Sequence, residues 1–131
     1  MMNWQELEER IQTGIIPRRS RILKADGKGR RLVTSNRGRK IGMRTGIKTT
    51  QSKAITYDMI EFAFETLSAK GRFDSTDFRT RFKDEYNAAP CRFSMTGGVL
   101  VELGLSNIVP SPNEEACYYT KNPGWKVQDN L

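Results

Sequence analysis

Apolar residues recur at helical spacing in four stretches of this chain, and at a weaker strand-like spacing between the first and second of them. Asn3, with Glu6 three residues on, is an N-cap signal, and Trp4, Leu7 and Ile11 share one helical face before Gly14. This predicts a short amphipathic helix within residues 1–16. Two or three turns are marginal alone, so the stripe is expected to dock on the rest of the chain or to join two copies as a homodimer.

The second half is more regular. Thr56 can cap a helix running to about Ala69, with Asp58 and Glu61 near its positive end and Ile60, Ala63, Phe64 and Leu67 on one face; Gly71 ends it. Asp74 with Asp77 is a second capping signal, and Phe78, Phe82 and Tyr86 repeat at four-residue spacing along the next helix, before Pro90. A third helix fits Ser94 to Leu103, with Ser94 as cap, Met95, Val99, Leu100 and Leu103 inward, and Gly104 as the left-handed residue after its end. Ser106 to Val109 and Ala116 to Thr120 flank a Pro/Asn/Glu loop and predict a hairpin. Residues 123–131 are a polar tail in which Trp125 is expected to pin the chain end to the body.

Residues 17–55 alternate less clearly. Ile22 to Ala25 and Arg31 to Thr34 flank Asp26-Gly27-Lys28-Gly29, a turn sequence that suits a two-stranded ribbon. A further short strand is expected over Lys40 to Arg44, after the turn-like Asn36-Arg37-Gly38. The alternative is that this stretch is largely extended and flexible.

Charge separates the same two halves. Thirteen of the twenty-two basic residues lie between Arg18 and Lys53, where Asp26 is the only acid, giving the segment a formal charge of +12. From Thr56 to Leu131 eight basic residues stand against eleven acidic ones, a net of −3. At 131 residues there is room for one compact domain and an extension, not for two independent cores.

So dense a positive field attracts polyanions, and nucleic acid is the commonest. The candidate phosphate contacts are Arg37, Arg39, Lys40, Arg44, Lys48 and Lys53, interleaved with Gly, Ser, Thr and Asn that permit close backbone approach. Arg30 and Arg31 extend the set, but in a ribbon they point to opposite faces, so only one of them serves any single surface. No aromatic residue occurs between Trp4 and Tyr57. Single strands are usually held by stacking on aromatics, so a duplex backbone is the better fit. Of Tyr118 and Tyr119, strand alternation sends one into the core.

Histidine is absent, which removes the usual general base at neutral pH, the His-dependent triads and most catalytic zinc arrangements. Cys91 and Cys117 are read as two free thiols, too few for a disulfide framework or a paired zinc site. No apolar run is long enough to span a bilayer and no secretory leader is evident, so a cytoplasmic location is expected. Gly42-Met43-Arg44-Thr45-Gly46-Ile47-Lys48 fails the spacing of a phosphate-binding P-loop. Asp26-Gly27-Lys28 has the Asp-x-Lys order of some metal-dependent nucleases, and Asp58, Glu61 and Glu65 lie near one helical face. A hairpin turn and helix-start acids explain the same residues better, and no catalytic residue, metal or cofactor is assigned.

Three helices followed by a two-stranded ribbon, over about residues 56–122, resemble the winged helix-turn-helix DNA-binding superfamily. The most telling piece is Ser94-Met95-Thr96-Gly97-Gly98-Val99-Leu100-Val101-Glu102-Leu103-Gly104-Leu105, which is similar to the end of a recognition helix leading into a wing. The resemblance implies a third helix in the major groove and a wing on the backbone. Arg92, Ser94, Thr96 and Gly97 would then be exposed, Arg92 toward guanine and Ser94 or Thr96 toward a phosphate or base edge. Gly97-Gly98 in mid-helix costs about 1 kcal/mol per glycine relative to alanine, so a close approach is expected there, either to phosphates or to a packed neighbour. Glu102, Glu114 and Glu115 repel DNA, leaving most of the affinity to the basic segment.

The expected fold is therefore α+β: a winged-helix-like three-helix body with a C-terminal hairpin, preceded by a short helix (1–16) and a basic extension or β-ribbon (17–55). The expected function is duplex-DNA binding through phosphates, as a regulator or accessory DNA-processing factor. The rivals are a non-catalytic subunit whose acidic winged-helix face docks a protein partner, and a metal-dependent nuclease.

Overall fold

In the computed structural model, which describes residues 3–17, 19–44 and 52–123, the first helix is capped as its sequence implies. Asn3 Oδ1 accepts the Glu6 N–H at 2.9 Å and opens α1 (Trp4–Arg10), which runs into a π-helical turn over Ile11–Ile15 containing Gly14 at φ 120°. Leu7 and Ile11 are fully buried and the Trp4 ring lies 6.0 Å from that of Phe64. The apolar stripe is thus spent on the chain's own body. Arg18, Lys48 and Trp125, each singled out above, lie outside the described residues.

The basic segment folds into an antiparallel sheet of four strands, β1 (Arg21–Leu23), β2 (Arg30–Arg37), β3 (Lys40–Arg44) and β4 (Lys53–Thr56), paired in that order. The reading of a largely flexible stretch does not hold for its described part. Asp26 closes the first turn, its Oδ1 accepting the N–H groups of Lys28 and Gly29 at 2.9 Å each. Gly38 and Arg39 make the second turn with φ of 62° and 57°, the sign that a tight two-residue hairpin needs at both positions. Strand β4 has only one buried apolar residue, Ile55, and its pattern was too short to predict.

Alternation along the strands gives the sheet two unlike faces. Ile22, Val33, Ile41, Met43 and Ile55 are buried and join the helices in one core cluster. Asn36, on the same face, donates its amide to Ile11 O (3.0 Å) and Ile16 O (2.9 Å) and accepts the Tyr57 hydroxyl at 2.5 Å. One side chain thereby ties the end of the first helix, β2 and the following helix together.

Helix α2 (Tyr57–Lys70) begins at its Thr56 cap and ends at left-handed Gly71. After it come β5 (Arg72–Asp74), α3 (Ser75–Arg81), α4 (Lys83–Ala88), α5 (Arg92–Glu102), β6 (Ser106–Val109) and β7 (Tyr118–Lys121). The Asp74–Asp77 capping box is present. The single helix expected through Phe82 is instead two. Phe82 takes φ −125°, ψ 55°, and this break lets Phe78, Phe82 and Tyr86 all reach the core, with Phe82 set edge-on to Phe62 at 5.7 Å. Strands β5, β7 and β6 form a second antiparallel sheet in that order. The fold is α+β, and among the described residues no helix is long and apolar enough to cross a membrane.

Helix α5 makes the most extensive contact between the halves. Gly97 and Gly98 are both buried, and the close approach expected of them is intramolecular. A Cβ on Gly97 would fall 2.6 Å from Tyr119 Cδ2, and one on Gly98 2.7 Å from the backbone oxygen of Leu23. The glycines let the helix lie between β7 on one side and β1 on the other.

Candidate nucleic-acid interface

The face of the first sheet turned away from the core carries the charge. Register places Arg21 and Arg44 on either side of Leu32, Arg30 beside Leu23, and Arg37 beside Lys40, all on the opposite side from Ile22, Val33 and Ile41. Arg21, Arg30, Arg37 and Lys40 are exposed and Arg44 is half-buried. Arg19, just before β1, is exposed beside them. Among the described residues, none of these six makes an ion pair with an acid. Positive charge is left free to act outward.

Two hollows mark this face. One, of about 580 Å³, is lined by Arg19, Arg21, Leu32, Val33, Thr34, Arg44 and Ser52. The other, of about 490 Å³, adjoins it at Thr34 and continues past Ser35 to Arg37 and the Gly14 turn. Each is far roomier than the roughly 30 Å³ share of one water. The two hydroxyls of the first, Thr34 Oγ1 and Ser52 Oγ, are hydrogen-bonded at 3.3 Å.

Arg39, Arg31 and Lys53, also expected as contacts, do not join this face. Arg39 grips Glu8 through Nη2 (2.7 Å) and Nε (3.3 Å), reaches Asp58 at 3.4 Å and lies over the Tyr57 ring. That hydrogen bonding holds the Glu8 carboxyl below the usual carboxylate range and raises Arg39. Arg31 points inward, is 5% exposed, and among the described residues its Nη1 has no hydrogen-bond partner. Its charge reaches Cys117, whose thiol is pushed up to about 11, chiefly by burial and next by Glu114. Lys53, paired with Met43, starts from the core-side face and is exposed at the strand end.

The helix that the resemblance would place in the major groove is an interior element. Ser94 and Thr96 are 0% exposed, and Gly97 is buried under Tyr119, so the expectation that these residues are exposed is corrected. Physically, α5 is apolar nearly all round, from Phe93 and Met95 to Val99 and Leu100, and such a helix belongs inside. Ser94 is not its cap but an internal residue whose hydroxyl donates to Cys91 O; the Thr96 hydroxyl donates to Arg92 O at 2.8 Å. Arg92 donates to the backbone oxygens of Ala54 and Glu85 at 3.0 Å each, clamping β4 to α4.

No protein-family model, curated protein or solved structure matches this chain.

The hairpin acids also have internal partners. Glu114 Oε1 accepts the Ser94 N–H at 3.1 Å in the first turn of α5, where a carboxylate suits the helix dipole, and Glu115 Oε1 accepts the Tyr86 hydroxyl at 3.1 Å. Tyr119 is buried, while half-buried Tyr118 lies 3.8 Å beneath the Arg72 guanidinium. Asp26 is occupied by its turn, and among the described residues no group of three or more His, Cys, Asp or Glu is placed to hold a metal ion.

Arg19 and Arg21 were missed from sequence. For Arg21 a signal existed: a hairpin centred on Asp26-Gly27 sets it across from Leu32, on the face away from Ile22. For Arg19 there was none, because its left-handed backbone, φ 78°, is unusual for a side chain of its kind.

Proposed function

We propose that this protein binds duplex nucleic acid, DNA foremost, by its phosphates, through the outer face of the four-stranded sheet. The observation that carries the reading is the register that gathers Arg21, Arg30, Arg37, Lys40 and Arg44 on one face, none of them in an ion pair among the described residues. Phosphate contacts of this kind fix position and supply affinity without reading sequence. The face has no aromatic platform for unpaired bases, which favours a duplex over a single strand.

The order α2–β5–α3–α4–α5–β6–β7, with β7 between β5 and β6, supports reading the second half as a winged helix. In this variant β1 covers the helix that would otherwise enter the groove, and the sheet takes over its role. Binding with little base preference follows.

Titration of a labelled random duplex, measured by fluorescence anisotropy at several salt concentrations, tests the reading. Five phosphate contacts predict roughly a 500-fold loss of affinity between about 50 and about 200 mM salt. Replacing Arg21, Arg30, Arg37 and Arg44 together by Ala should remove most binding. Affinity indifferent to salt, or retained by that variant, rejects the reading.

A further inference from the structure

We propose that the groove walled by Arg19, Arg21 and Arg44 is a seat for one phosphate group of a bound backbone, distinct from the diffuse attraction of the rest of the face. The proposal rests on the phosphate-binding reading above. It draws on three independent features of the groove.

The first is convergence. Arg21 and Arg44 flank Leu32 in cross-strand register, and Arg19 closes the same hollow from the preceding turn. Thr34 and Ser52 add two hydroxyls, bonded to one another in the free protein and able to turn to a ligand. Three guanidinium groups around one opening suit a phosphate, whose oxygens point in several directions, better than a carboxylate, whose two oxygens lie in one plane.

The second is backbone conformation. Arg19 occupies the left-handed region at φ 78°, held there by its own N–H to Val33 O and by Val33 N–H to Ser20 O, both at 2.8 Å. Such a conformation is costly for a side-chain-bearing residue and tends to persist where it aims a functional group. Here it puts a third arginine on the rim.

The third is an unmet donor. Arg44 Nε is shut off from solvent and, among the described residues, has no hydrogen-bond partner, although Arg44 lines the groove. A buried charged donor left unpaired favours any anion that lets the guanidinium turn toward it. A seated phosphate provides that acceptor, so Arg44 should contribute through geometry and not through charge alone, and lysine should not replace it.

The test follows arginine Nε–Hε correlations by NMR in the full chain while inorganic phosphate, or chloride at equal ionic strength, is added. The Arg44→Lys and Lys53→Ala variants are titrated in parallel with both phosphate and a short random duplex. The expected result is a saturable shift of the Arg44 and Arg21 signals with phosphate and not with chloride. R44K should abolish saturation and weaken duplex binding about tenfold, whereas K53A should stay within about twofold. Equal responses to both anions, or an R44K variant that matches the wild type, overturn the seat. If the duplex still binds in a salt-dependent way in that case, the broader reading survives. If no duplex binds but phosphate saturates, the seat stands and the nucleic-acid reading falls.

Discussion

Asn36 shows how much one polar side chain can organise. Its amide satisfies the carbonyls of Ile11 and Ile16 where the first helix unwinds, and its oxygen receives the Tyr57 hydroxyl at the start of α2. Substitution by alanine strands three partly buried partners at once, so Asn36→Ala should cost roughly 2–3 kcal/mol, read as a lower urea midpoint with an unchanged m-value. A loss within experimental error would show that water replaces the amide without penalty. From sequence Asn36 looked like a turn residue beside Arg37-Gly38, because a strand asparagine with long-range partners leaves no local signature. The cap of Thr56 and the turn of Asp26 were legible for the opposite reason: their bonds close within three residues.

At the scale of elements, α5 joins the two halves most extensively. Gly98 faces the backbone of Leu23, which cannot rotate aside as a side chain can. Gly98→Ala should therefore gain helix propensity yet lose about 3 kcal/mol through displacement of β1. Thermal melting measures the sum, and a stabilised variant would mean that β1 yields without cost. The ends of α2 and α5 were legible in Gly71 and Gly104, both with positive φ. Strands β4 and β5 were not, since three or four residues with one buried apolar side chain establish no period. The outward face expected of α5 was wrong for a reason present in the sequence: Phe93 lies across the helix from the Met95–Val99 stripe and leaves no polar side wide enough for solvent.

For the molecule as a whole, the charge pattern and the core impose different divisions. Charge separates a +12 segment from a mildly acidic remainder, while a single buried cluster runs from Leu7 through the first sheet to Tyr119. The core decides cooperativity. Trp4 fluorescence and helical circular dichroism should report one coincident unfolding transition; two separated transitions would show that the sheet and the helices are independent units.

The glycine contact between α5 and β1 has a consequence for inheritance. A side chain at 98 is tolerable only if β1 itself shifts, because Ile22 can be trimmed but the backbone oxygen of residue 23 cannot, so glycine should persist at 98 as long as β1 keeps its place. The outer arginines, on the opposite face of the sheet from Ile22, are free of that constraint. Across descendants of this sequence, then, the buried helix should change only under the rules of packing, and the outer face of the strands beside it independently of them.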